Sequence, residues 1–264
     1  MFFTDATFIG IDPTAGEKPF TYAAINNDLS LLALGEGTID DILAFCAGQS
    51  QALVAICGPR RPNQGVMRRG DVRESLTPVP VPGRWTNFRM AEFLIRQHNI
   101  HIPQTRSKSS DCPNWMRMCF NLFERLEILG YLPYPKDNSD RQYIEVYPHA
   151  CYTTILGVQP FNKHKLEGRI QRQLALYEAR MEVPDPMRIF EEFTRYRLLN
   201  GIIALDQLYS SCELDALVAS YTAALAVTDP GKVTMIGDPD EGQIVLPKDK
   251  LKEKYSHSKE THNT

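Results

Sequence analysis

The chain has 264 residues, 43% of them hydrophobic and 23% charged, with a formal net charge of −3. Such a composition is that of a globular protein with a sizeable core, in one large domain or one domain with a big insertion. It excludes a polycation, a fixed-period repeat array and a membrane-spanning chain, since no apolar run approaches the roughly 18 residues that a bilayer requires. The start "MFFTDATF" has neither a basic n-region nor an apolar h-region, so it does not read as a secretory leader. None of the six cysteines forms a CxxC pair, which disfavours a zinc knuckle and fits a reducing cytoplasm.

In chain order, "FIGID" predicts a strand over about 6–12 that ends on Asp12, and Pro13 stops it. Strands follow at about 21–26 and 31–37, joined by the turn residues "NND". Thr38 is placed to cap a helix from Ile39, with Asp40 and Asp41 in its first turn. "ALVAICGP", 52–59, is a continuous apolar run, as expected of a strand covered on both faces. A Pro- and Arg-rich stretch then leads to helices at about 86–98 and 114–129, the second closed by Gly130. "QYIEVYP", 142–148, reads as a strand; helical periods recur at 163–180 and 185–201, with Pro186 suited to a first helical turn. "SCELDALVASYTAALAV", 211–227, is an apolar helix with Ser211 as candidate cap and Leu214, Leu217, Val218 and Tyr221 on one stripe. A short return strand is expected at 242–247.

This order predicts an α/β layer fold: one domain over 1–247, with a basic insertion at about 60–140 and a helical section at about 160–201. Residues 248–264 read as a polar, disordered tail. Three early strands and an α crossover to a fourth resemble the ribonuclease-H-like topology, a mixed sheet flanked by helices.

Charge is distributed unevenly. Residues 60–117 hold eleven Lys/Arg against four Asp/Glu, while the rest of the chain is acidic. Arg60, Arg61, Arg68 and Arg69 directly follow the 52–59 strand, and Lys165, Arg169 and Arg172 share a helical face. These are candidate phosphate contacts for a nucleic-acid partner, DNA or RNA; solvated faces are the alternative. Trp85, Phe88 and Trp115, interleaved with Arg84, Arg89 and Arg117, are candidates for base stacking or for the core.

Three carboxylates fall in apolar surroundings: Asp12 at a strand tip, Glu145 within a strand and Asp215 within the apolar helix. Charges so placed need partners. Their convergence would suit one or two Mg2+ or Mn2+ ions, which favour oxygen ligands and support phosphodiester hydrolysis. The alternatives are a turn-forming Asp12, a Glu145 paired with arginine or facing solvent, and an Asp215 favoured by the helix dipole. His149 is a candidate acid or base, or a packing residue. Cys57 is a conceivable nucleophile, with a buried, inert thiol as its alternative.

Over "FIGIDPTAG", "ALVAICGPRRPN", "YIEVYPHA", "KHKLEGRIQRQLAL", "ELDALVASYTA" and "GDPDEGQIVLP", the chain resembles domain-of-unknown-function family 429, described as predicted nucleases of the RNase H-like fold. The resemblance implies a metal-dependent nuclease with Asp12, Glu145 and Asp215 as catalytic and metal-binding residues. It also marks a departure: where such relatives carry "DAP" this chain has Cys57-Gly58-Pro59, and a thiolate is a poor Mg2+ ligand. An inactive nucleic-acid-binding or scaffold protein of the same fold is therefore the alternative expectation. "DPTAGEK", 12–18, is similar to the first phosphate loop of sugar-kinase and actin-like ATPases, a weaker pointer to a nucleotide phosphotransferase; no second phosphate loop, Walker A or GxGxxG motif accompanies it.

Overall fold

The computed structural model describes residues 6–14, 19–81, 83, 85–202 and 205–257. The first part of the chain is β1 (Thr7–Asp12), β2 (Phe20–Ile25), β3 (Leu31–Gly37), α1 (Ile39–Ala47) and β4 (Ala52–Cys57). A less regular stretch with the short α2 (Gly70–Ser75) leads to α3 (Met90–Gln97), α4 (Asn114–Ile128), β5 (Leu132–Pro133) and β6 (Arg141–Val146). Then come α5 (Pro148–Leu156), α6 (Leu166–Glu178), the short α7 (Ile189–Glu192) and α8 (Arg195–Leu199), α9 (Ser211–Thr228), β7 (Thr234–Asp238) and β8 (Gly242–Leu246). The strands form one mixed sheet in the order β3-β2-β1-β4-β6-β8-β7, with β5 beside β6. β1, β4 and β6 are mutually parallel; β2 is antiparallel to both β1 and β3. The protein is thus of the α/β class, a mixed sheet of eight strands flanked by helices.

Local chemistry accounts for most boundaries. Thr38 caps α1 in a reciprocal box with Asp41. Gly130, in a left-handed conformation, follows the end of α4. Three expectations need correction. The cap of α9 is Ser210, boxed with Glu213, rather than Ser211. The helix expected over 185–201 is broken: Phe193 leaves helical geometry and Thr194 caps α8 by accepting from the Arg197 N–H. The tail expected from 248 is docked as far as residue 257. Tyr255 is buried, its N–H donates to the His98 carbonyl, and Ser256 accepts from the Gln159 N–H; an apolar ring that packs outweighs the polarity of its neighbours.

Two cores lie on the two faces of the sheet. Phe8, Leu53, Ala55, Ile144 and Val146 face α9. Ile9, Ile11, Val54, Ile56 and Tyr143 face the side covered by α1 and α4, where Cys119, Leu122, Phe123 and Leu126 belong to the same core. The α4 part of the expected insertion is therefore a structural layer. α9 lies between the sheet and α5 and α6, which explains its apolar character on nearly all sides.

α9 lies unusually close to β1. A Cβ built on Gly10 would meet the Ala216 carbonyl oxygen at 2.0 Å, the Ser220 nitrogen at 2.4 Å and the Ala219 Cβ at 2.9 Å. Only glycine allows backbone to approach backbone in this way. Gly10→Ala is expected to cost about 3 kcal/mol and to lower Tm by roughly 6–12 °C. Thermal unfolding checks this, and an unchanged Tm would show that α9 is free to move outward.

Candidate active site

Strand alternation turns Asp12, like Phe8 and Gly10, toward α9 at the carboxyl end of β1. Cys57, at the end of parallel β4, faces the same way. The capped first turn of α9 brings Asp215, 4% exposed, to the same place. The three side chains share a cleft of about 780 Å3. Asp12 remains partly open to it. Lys163, from the loop between α5 and α6, sets its Nζ 2.5 Å from Asp215 Oδ2. The Cys57 Sγ points at the Asp215 carbonyl oxygen, 3.5 Å away, and the Cys212 thiol reaches the Asp12 carboxylate.

The electrostatics follow from this crowding. Burial, and then the charge of Asp215, push the Asp12 pKa up to about 7, with Lys163 pulling back. Burial also raises Asp215, against the attraction of Lys163. Burial opposes the Lys163 ammonium, but the charge and hydrogen bond of Asp215 prevail and hold its pKa above the ordinary lysine value. Cys57 is raised well above a normal thiol by burial and then by Asp12 and Asp215, so it rests as a neutral thiol and not as a nucleophile. His149 lines the same cleft; burial and the Arg172 guanidinium lower its pKa to about 4, so its imidazole is neutral.

Glu145 does not join Asp12 and Asp215. In register, Ile11 is beside Ile56 and Ile56 beside Glu145. Glu145 therefore faces the side opposite Asp12. Its carboxylate is 3% exposed and forked by Arg89, with both nitrogen–oxygen pairs at 2.9 Å, and it also accepts from the Arg60 N–H at 2.9 Å. A Cβ at Gly242 would lie 2.2 Å from both the Arg89 and Glu145 side chains, so β8 closes the pair in. The pairing with arginine, one of the alternatives open at the sequence level, is the arrangement found. Among the described residues, no three His, Cys, Asp or Glu side chains cluster to hold a metal ion.

Several basic candidates are committed elsewhere. Arg60 pairs with Glu127 and lies over the Tyr143 ring. Arg169 donates to the carbonyls of Leu208 and Tyr209, and Arg172 to those of Phe161 and Gly168. Arg169 and Arg172 thus tie backbone carbonyls together, and Arg60 a carboxylate, so each has a structural role beside any contact with phosphate. Arg69 pairs with Asp71 but is exposed, as are Arg68 and Lys165, while Arg61 is half-buried. Trp85 packs on Phe88 and Phe93; Trp115 lines the cleft. Arg84 and residues 15–18 of the "DPTAGEK" loop lie outside the described residues. Sequence reasoning passed over Lys163 and Cys212, and it named Arg89 only beside the aromatics, not as the partner of Glu145. Lys163 sits in a loop, where no periodicity marks a functional position. Arg89 carries one signal, an arginine beside an apolar helical run.

The fold and cleft define a mixed α/β protein with two carboxylates, one from the end of β1 and one from α9, in a shared cleft. Residues 55–241 match the model of a protein family of unknown function, DUF429, and the chain belongs to that family. Glu145 and Asp215 lie within the matched span; Asp12 precedes it. Comparison with curated proteins and with solved structures returns no match. Among the described residues, no helix is long and apolar enough to cross a membrane.

Two measurements test the electrostatics. The folded Asp12 pKa of about 7 lies above its ordinary 3.8, so the folded state holds an extra proton between those values. Stability from this group is full below the unfolded value and is lost as pH rises through about 7. In metal-free buffer at about pH 8, Asp12→Asn is therefore expected to be more stable than wild type, on the order of 1–2 kcal/mol. Equal melting of the two proteins at that pH would remove the repulsion argument. Arg89→Met leaves the Glu145 carboxylate buried without its cation and is expected to cost about 3–5 kcal/mol in chemical denaturation, partly recovered by adding Glu145→Gln.

Proposed function

We propose that this protein hydrolyses phosphodiester bonds in a nucleic-acid or nucleotide substrate, using one Mg2+ or Mn2+ ion, on an RNase H-like sheet. Support for the fold reading comes from the order β3-β2-β1-β4-β6, in which only β2 runs against the others. The observation that carries the chemistry is the pair Asp12 and Asp215 in one cleft at the carboxyl end of β1, where, among the described lining residues, Lys163 is ion-paired with Asp215 and Arg172 is the other side chain with a fixed positive charge. Two carboxylates fit one hard divalent cation, whose other positions go to water and phosphate oxygens. They do not fit two ions, because Glu145 is closed off by Arg89 and Cys57 is a neutral thiol.

Asp12 and Asp215 would hold the cation, which when bound polarises the phosphoryl oxygens and neutralises developing charge. Lys163 holds Asp215 in place and presents a fixed positive charge to the phosphate. His149, which lines the cleft as a neutral imidazole, can accept a hydrogen bond from a water there, though its lowered pKa makes it a weak base. The exposed Arg68, Arg69 and Lys165, with half-buried Arg61, are candidates to contact a nucleic-acid backbone. A second reading, a binding protein without turnover, is favoured by the loss of two of the four acidic positions, Glu145 to an ion pair and Cys57 to a thiol.

Manganese is expected to raise the Tm of wild type by several degrees, and Asp12→Asn to abolish that shift through loss of a ligand. Cleavage of a labelled oligonucleotide should fall at least about a hundredfold in both Asp12→Asn and Asp215→Asn. Cys57→Asp should lower stability without metal and enlarge the metal-induced gain. A protein stabilised by neither ion, with no cleavage in wild type or in Cys57→Asp, would favour the binding reading.

A further inference from the structure

The shape and walls of the cleft bear on what enters it. Its volume of about 780 Å3 is within the range of a small-ligand site. Trp115, Tyr147 and Phe161 line it together with Lys163 and His164. Phe161 is 51% exposed, a large ring held at a cleft wall. The loop carrying Phe161 and Lys163 is fixed from several sides. The Phe161 N–H donates to Gln171 Oε1 at 2.8 Å, and Arg172 Nη1 donates to the Phe161 carbonyl at 2.8 Å. A Cβ on Gly168 would lie 1.9 Å from the Asn162 carbonyl oxygen, so the loop rests directly on α6. The docked 248–257 segment braces Gln159, two residues before Phe161, and adds His257 to the cleft lining. Rings and ammonium are therefore positioned before any ligand arrives.

We propose that this cleft binds a single nucleotide unit, its base against Trp115 and Phe161 and its phosphate at the Lys163, Asp12 and Asp215 end. The occupant is then the terminal nucleotide of a strand, whose phosphodiester is the bond cut, or a free mononucleotide held without phosphodiester cleavage, not an internal stretch of chain. The inference rests on the hydrolytic reading for the placement of the phosphate. Aromatic rings stack on any base, and an ammonium beside them recognises the phosphate. The arginines near the cleft also hold protein groups, Arg60 the Glu127 carboxylate, and Arg169 and Arg172 backbone carbonyls.

The chain has two tryptophans, and Trp85 packs away from the cleft on Phe88 and Phe93. Trp85→Phe therefore leaves Trp115 as a single fluorescent reporter. The probes, each in Mg2+, are adenosine, adenosine 5′-monophosphate, a linear phosphorylated oligonucleotide and a circular single strand without ends. Trp115 emission should be quenched by the monophosphate, the linear strand or both. Adenosine should bind about tenfold more weakly, and Phe161→Ala, at an exposed position, should weaken binding about tenfold without unfolding the protein. Quenching by the monophosphate alone identifies a free nucleotide; quenching by both identifies strand ends. Equal binding of the circle, or no quenching by either phosphorylated probe, overturns the proposal. Cleavage of the circle would leave hydrolysis standing and remove the single-nucleotide pocket. Quenching without cleavage of any probe would do the reverse.

Discussion

The contact between Gly10 and α9 is the constraint on which the site depends. With no side chain at position 10, the helix backbone settles against the strand through Ala216, Ala219 and Ser220. Two residues further along β1 is Asp12; one residue before Ala216 is Asp215. The close approach at glycine thus brings two carboxylates together at the strand end. Their mutual repulsion is a cost met by packing elsewhere in the helix, where a nearly continuous apolar surface is buried between the sheet and two further helices.

The chain treats its recessed charges in two opposite ways. Glu145 and Arg89 form a closed, forked pair beneath Gly242, joined by backbone donors and acceptors. That arrangement pairs opposite charges one to one and ties β8 and the start of α3 to the sheet. Asp12 and Asp215 share a cleft in which, among the described residues, Lys163 pairs with Asp215 and Arg172 adds a second positive charge, and Asp12 keeps an opening to the cleft. A group of this kind gains most from another cation or a proton, which is why its acids are raised while the lysine stays charged. Stability resides in the first arrangement and chemical potential in the second.

The arginine-rich character of the chain takes on a structural meaning in the same way. Arg169 and Arg172 act as multiple donors to irregular backbone around α6, and Arg60 joins β4 to α4. Guanidinium suits this work because its planar fork satisfies several carbonyls at once. The result is a rigid frame around the cleft, with the loop of Phe161 and Lys163 as its firmest wall.

Much of the fold was legible from the sequence. The first four strands and α1 follow from apolar runs, turn residues and a cap, all local in origin. Those signals also placed Asp12 at a strand tip and Asp215 in an apolar helix. The hairpin partner β7 escaped notice because its pairing to β8, not its own pattern, makes it a strand. The fate of Glu145 was likewise undetermined, since an acid in an apolar strand reads alike whether it awaits a metal or meets an arginine 56 residues away. Lys163 and the docking of Tyr255 depend on loops and a segment distant in sequence. Local sequence therefore determined which elements form and where their charges sit along them; only tertiary structure decided which charges meet, because strand parity and helix approach are properties of the packed sheet rather than of any one segment.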